Sequence, residues 1–224
     1  MSTPKPPSPS NHANIAGREE PLRALTDAVR TLVRVVTTNT GDRAWTEAAA
    51  RDVASLAERL SEGLPDEAPP RYGALRAPET SEQLFPYDPV LGPYNPLALP
   101  VEVDWEPPKA VGRAVFDTPY EGPPGCVHGA VIAAVFDQVF NVANIFSGQA
   151  GPTANLSLRY RRPTPLDRPL RFEAWVEGVE GRRLTSRGAL LCADEVTVEA
   201  EGLFIVTDAS RILDGLAENR SRVR

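Results

Sequence analysis

Cysteine and histidine are scarce in this chain of 224 residues, and their scarcity removes whole classes of chemistry. Two cysteines, Cys126 and Cys192, supply no framework of bridges of the kind that staples a small secreted domain. Two histidines, His12 and His128, with no cysteine cluster beside them, offer no ligand set for zinc, and neither a metal nor a cofactor is expected. Positive charge is short as well: 24 Lys and Arg stand against 30 Asp and Glu, a net charge of -6. With a pI near 5.1, the chain lacks the basic character usual in nucleic-acid and anionic-membrane binders, so neither is expected as a partner. No apolar run reaches the ~18 residues that a membrane span takes. Residues 129–147 come nearest, but they contain Asp137, Gln138, Asn141 and Asn144. The opening MSTPKPPSPS has no basic start followed by an apolar stretch, unlike a secretory signal. A cytoplasmic protein is the expectation. A phosphate loop is missing too: Gly122, Gly125 and Gly129 are spaced GxxGxxxG, but no Lys-Ser/Thr follows.

Proline is plentiful and divides the chain. Residues 1–17 are rich in Pro, Ser and Asn and predict a disordered tail. Residues 18–65 predict a helical extension in two pieces. Leu22, Leu25, Val29, Leu32, Val33 and Val36 stand at helical spacing in 18–38; Val53, Leu56 and Leu60 do so in 43–62; TTNTGD breaks them apart. Residues 66–100 hold so many prolines that a long helix or central strand is disfavoured, and an extended surface arm is expected. The chemistry is expected in 101–210, with 211–224 a C-terminal tail. In 101–210, two strands (VEVDW and GRAVFD) precede a glycine-rich loop and one long apolar helix. Four strands follow, near 153–160, 169–179, 182–192 and 195–206; the turns at Glu180-Gly181 and Ala193-Asp194 are short, so these late strands are expected to be antiparallel neighbours. Gly202 interrupts the last alternation and predicts a bulge. This order suggests an α+β fold with an antiparallel sheet wrapped around one central helix.

The densest signal is GPPGCVHGAVIAAVFD at 122–137. Gly and Pro make a tight entry to a helix, whose first N–H groups are unpaired and attract negative charge. Gly129 has no side chain, so a ligand carbonyl can approach its N–H. On a helical wheel Asp137 shares a stripe with Ala130, Ala133, Ala134, Asn141 and Asn144, opposite a broad apolar face. Such a stripe can be the solvated edge of an amphipathic helix. The alanines argue instead that something packs there, a substrate or another subunit. Cys126 lies two residues before His128, a spacing at which side chains seldom face each other, so a packed cysteine is expected rather than a nucleophile. Arg159, Arg161 and Arg162 form a basic run at a strand end. They suit either contact with phosphates or a charged edge that discourages pairing.

These blocks resemble the hotdog-fold acyl-CoA thioesterases, especially the phenylacetate-pathway type and the mammalian thioesterase-superfamily members. The resemblance rests on 122–137, on TANLSLRYRRPTPL at 153–166 and on VEAEGLFIV at 198–206, and it covers roughly 100–207. It implies Asp137 as the catalytic carboxylate and Gly129 as the residue whose N–H polarises the thioester carbonyl. It further implies a supporting role for His128 and a water-orienting role for Thr153. Asn141, Asn155, Arg159, Arg161 and Arg162 are the candidates for substrate binding. The resemblance also implies an acyl-CoA substrate and a homodimer, with a dimer of dimers open, whose site lies at the subunit interface. Two departures stand out: the family's second Gly is Ala130, and the Asn that some relatives carry six residues before the histidine is Gly122. They keep open a non-catalytic acyl-thioester-binding protein, and a dehydratase is a further alternative. The route, with Asp137 as general base or as nucleophile, is open at this stage. Phe136, Phe140 and Phe146 are the expected lining for the acyl chain.

Overall fold

The computed structural model describes residues 10, 12, 14–64 and 81–207, which belong to two compact units, Met1–Arg76 and Ala77–Arg224. The expected C-terminal tail, most of the expected N-terminal tail and the first half of the Pro-rich arm lie outside the described residues. In the first unit, α1 (Glu19–Thr38) opens with Glu19 and Glu20 at the positive end of its dipole. The Oδ1 of Asp42 caps α2 (Arg43–Ser61) by accepting the Trp45 N–H at 2.8 Å.

The second unit begins with a one-turn helix, α3 (Ser81–Leu84). Residues 85–100 are not extended, as their composition suggests, but fold into successive turns. Asp88 Oδ1 accepts the N–H groups of Val90 and Leu91, and Asn95 Oδ1 accepts that of Leu97. Such Asx turns alternate with the prolines and bury Tyr94 and Ala98. Six strands follow: β1 (Val101–Glu106), β2 (Lys109–Ala114), β3 (Thr153–Tyr160), β4 (Leu170–Glu180), β5 (Arg183–Cys192) and β6 (Glu195–Ile205). They form one antiparallel sheet in the order β1-β2-β4-β5-β6-β3. The helix α4 (Gly129–Phe146) touches all six, so the expected arrangement of a sheet around one long helix is the one observed.

The packing explains the composition of both layers. Ile132, Val135, Phe136, Val139, Phe140, Val142 and Ala143 of α4 are buried. The rings of Phe136 and Phe140 are received by strand glycines. A Cβ on Gly188 would lie 2.8 Å from Phe136 and 2.7 Å from the Glu173 carbonyl oxygen; one on Gly202 would lie 3.0 Å from Phe140. The expected bulge at Gly202 is therefore absent. Pairing runs in register through Gly202 on both sides, because this glycine makes room for a ring rather than for a kink. The same packing corrects the acyl-lining expectation. Phe136 and Phe140 are fully buried against Phe172 and Phe204, while Phe146 stacks on Trp105 at 5.8 Å. Because backbone lies on one side and a core ring on the other, Gly188→Ala is expected to cost roughly 1–3 kcal/mol. Chemical denaturation checks this: a midpoint equal to that of the wild type would refute the packing account.

Across β2 and β4, Lys109 and Arg171 both donate to the Glu173 carboxylate. The hydrogen bond from Lys109, and after it that from Arg171, holds Glu173 below the usual carboxylate range against the opposing effect of burial. A carboxyl lowered on folding stabilises the protein fully above its unfolded pKa, and the contribution is lost as pH falls through the folded value. Glu173→Gln is thus expected to lower the melting temperature by a few degrees at pH 7, for a partly exposed pair worth about 0.5–1 kcal/mol. The difference should shrink as pH falls through the folded value and vanish below it, and a pH-independent difference would exclude the ion pair as its source.

Candidate active site

Residues 121–128 form a tight entry to α4. The Gly122 N–H donates to the Cys126 carbonyl at 2.9 Å, and the Gly125 N–H to Glu121 Oε1 at 2.6 Å. Gly125, at φ +72, takes the left-handed turn that glycine tolerates best. The loop is fastened to the turn after β3. The Val127 N–H donates to the Thr164 carbonyl at 2.8 Å, and the Leu166 N–H to the Gly125 carbonyl at 3.0 Å. Cys126 bridges to Pro165, and the buried Thr164 hydroxyl bonds that of Thr197 at 3.0 Å. The Pro-Thr-Pro-Leu segment thus fixes where α4 starts. Gly122 is explained by the same tightness: a Cβ there would lie 2.8 Å from the α-carbon of His128, so this loop has no room for asparagine.

His128 is the N-cap of α4. Its Nδ1 accepts the Ala130 N–H at 3.0 Å, and its carbonyl accepts those of Val131 and Ile132 at 3.0 and 3.3 Å. As an acceptor, Nδ1 carries no proton, so the neutral ring holds its hydrogen on Nε2. The Gly129 N–H donates to no group among the described residues, which leaves one free donor at the positive end of the helix. The hydroxyl of Tyr160 donates to the Gly129 carbonyl at 2.8 Å, and its ring lies over the Gly129 α-carbon. Asp137 lies two turns further along. Its Oδ1 accepts the Thr153 hydroxyl at 2.7 Å, and no other bond within the described residues reaches this half-buried carboxylate. Thr153 belongs by alternation to the face of β3 away from the core. It reaches α4 because pairing shifts between Thr153 and Asn155, and the irregularity turns its side chain round.

The remaining candidates divide. The side chains of Asn141, half-buried one turn beyond Asp137, and of Asn155, exposed on β3, bond to no protein group among the described residues. Asn144 leaves the stripe. It is buried, and its Oδ1 accepts the Ser186 hydroxyl of β5 at 2.6 Å. Arg161 pairs with Glu199 at 2.7 Å and Arg162 with Glu195 at 2.9 Å, both across to β6; Arg159 stands opposite Glu199 in the register and its charge acts on that carboxylate, without a direct ion pair among the described residues. The resemblance assigned no role to Tyr160, and it is the one addition to the site. The strand alternation showed only that it shares a face with Leu156 and Leu158.

Residues 124–199 match the family model of the thioesterase superfamily. A solved structure of a thioesterase superfamily protein is 37% identical, covers 88% of this chain and 97% of its own, and superposes with a TM-score of 0.72. The chain belongs to the thioesterase superfamily. Among curated relatives of this thioesterase-superfamily chain, acyl-coenzyme A thioesterase THEM4 of Mus musculus is 36% identical over 95 residues, 42% of this chain and 41% of that protein. The THEM4 of Xenopus laevis is 34% identical over 90 residues, 39% of this chain and 40% of that protein. The matched region spans about two-fifths of the length of these curated relatives.

One distance decides how such a site must be assembled. Eight residues separate Gly129 from Asp137, which at ~1.5 Å per residue is about 12 Å along α4. An oxyanion donor and the base that delivers water to the same carbonyl must both lie within roughly 3 Å of the reacting atoms. The Gly129 and Asp137 of one helix are too far apart to serve one carbonyl.

Proposed function

We propose that this protein hydrolyses an acyl-CoA thioester to the free acid and coenzyme A. The free N–H of Gly129 binds the developing oxyanion, and Asp137 is the general base. The observation that carries the reading is the pairing of one unbonded helix-start N–H with one carboxylate that is oriented by a threonine and otherwise unbonded. Thr153 occupies Oδ1 and leaves Oδ2 to take a proton from water. The water oxygen adds to the thioester carbon, and the negative charge on the carbonyl oxygen is met by the Gly129 N–H. Collapse of the tetrahedral intermediate breaks the C–S bond, and the proton held by Asp137 goes to the departing thiolate.

The ~12 Å between the two groups supports a site shared by two copies of the chain, Gly129 from one and Asp137 from the other. The exposed edge of β3 supports the same arrangement, since an unpaired strand edge invites a second strand. Arg159 is the arginine of the basic run whose guanidinium makes no direct ion pair among the described residues and can turn to a phosphate of the carrier, and Asn141 and Asn155 are available to the acyl thioester. The dehydratase alternative is disfavoured because the Nδ1 of His128 is taken up in capping the helix. Thiol release from short, long and aromatic acyl-CoAs tests the reading. A folded protein that frees thiol from none of them, yet retains binding, would be the acyl-thioester-binding alternative.

A further inference from the structure

We propose that Tyr160 is a positioning residue that pins the Gly129 carbonyl, and through it the Gly129 backbone, so that the free N–H on the peptide before it keeps one direction while charge builds on the thioester oxygen. The inference deepens the hydrolase reading above and rests on it for its catalytic consequence. Glycine has the widest backbone freedom of any residue, which is a poor property for an oxyanion donor. A donor contributes most when its orientation is set before reaction. At Gly129 the neighbouring groups remove that freedom. The peptide between Gly129 and Ala130 is bonded at both polar ends: its carbonyl accepts the Tyr160 hydroxyl at 2.8 Å, and its N–H donates to His128 Nδ1 at 3.0 Å. The carbonyl of the preceding peptide accepts the Val131 and Ile132 N–H groups. Of the polar groups in these two consecutive peptides, the Gly129 N–H alone is left for a ligand.

The Tyr160 ring adds a steric wall. A Cβ at position 129 would lie 3.1 Å from the phenolic oxygen and 3.3 Å from Cζ, so ring and glycine fit each other closely. Partial burial raises the phenol above its usual range, which keeps it a donor at working pH. Its single proton is already directed at the Gly129 carbonyl, which separates this role from that of a general acid. Tyr160 ends the same strand whose first residue, Thr153, orients Asp137. One strand therefore sets both halves of the chemistry on α4.

Tyr160→Phe tests this, because it keeps the ring and removes only the hydroxyl. The expected result is a fall in kcat of about three- to tenfold, the size of one lost hydrogen bond, with KM within about twofold. The melting temperature should hold, because the side chain is half exposed. In 15N relaxation and amide exchange, which need no substrate, the Gly129 amide should become more mobile. An unchanged kcat with an unchanged Gly129 amide would overturn the proposal. So would a raised KM at constant kcat, which would make Tyr160 a substrate contact. Wild-type protein that releases no thiol from any acyl-CoA sinks the hydrolase reading alone, and the Gly129 amide then decides the positioning role by itself.

Discussion

Asp137→Asn is expected to lower kcat by about 10³-fold, within the usual range for loss of a general base, and to leave KM within a few-fold. The reason lies in what the substitution keeps. An asparagine side-chain oxygen still accepts the Thr153 hydroxyl, so the 2.7 Å bond that orients the group survives. Asp137 stands on the small-residue stripe rather than in the core, so volume and fold are preserved. Only the ability to take a proton from water goes. Thiol release and binding of a non-hydrolysable acyl-CoA analogue, measured side by side, check both halves. Equal turnover in the variant would remove Asp137 from the chemistry. Lost binding with unchanged turnover of bound substrate would make it a recognition residue. The isotopic label separates a base from a nucleophile. In a single turnover in H2(18)O, a general base places 18O in the product acid. An anhydride opened at the Asp137 carbon places it in the protein.

What the sequence made legible is what is local. His128, Gly129 and Asp137 lie within ten residues of one another, and helical spacing alone sets them on one element. The strands from 170 onward are separated by turns too short for anything but antiparallel pairing, and the register agrees. What escaped depends on contacts between elements. Alternation on β3 places Thr153 on the outer face, and only the irregular pairing with Phe204 and Leu203 turns it toward Asp137. Phe136 and Phe140 read equally well as channel lining or as core; the glycines of β5 and β6 decide for core, and these are remote in sequence. Arg161 and Arg162 look free until the fold brings them to Glu199 and Glu195 of β6. Tyr160 is thirty-one residues from the carbonyl that it holds.

Gly129→Pro should abolish most activity, by about 10²–10³-fold, while the helix survives, because proline removes an N–H at the start of α4 that bonds no group among the described residues. The position suits proline otherwise. It is the first residue of α4, where proline is well tolerated. His128 before it is extended, at φ -62 and ψ 133, as a residue preceding proline must be. Gly129→Ala is the matched control, since it adds the same Cβ beside the half-exposed Tyr160 ring and retains the N–H. Activity close to wild type in the alanine variant, against near-complete loss in the proline variant, would place the oxyanion at this group. Equal losses in both would assign the effect to crowding by Tyr160. The two inactive variants together also test the shared site. Mixing Gly129→Pro and Asp137→Asn chains and allowing subunits to exchange yields hybrids in half of the dimers. Each hybrid keeps one intact pair, Gly129 from one chain with Asp137 from the other. Activity should therefore rise from nearly nothing to about a quarter of wild type in a two-fold dimer. If both groups acted within one chain, mixing would restore nothing, and the ~12 Å between them along α4 would have to be bridged in some other way.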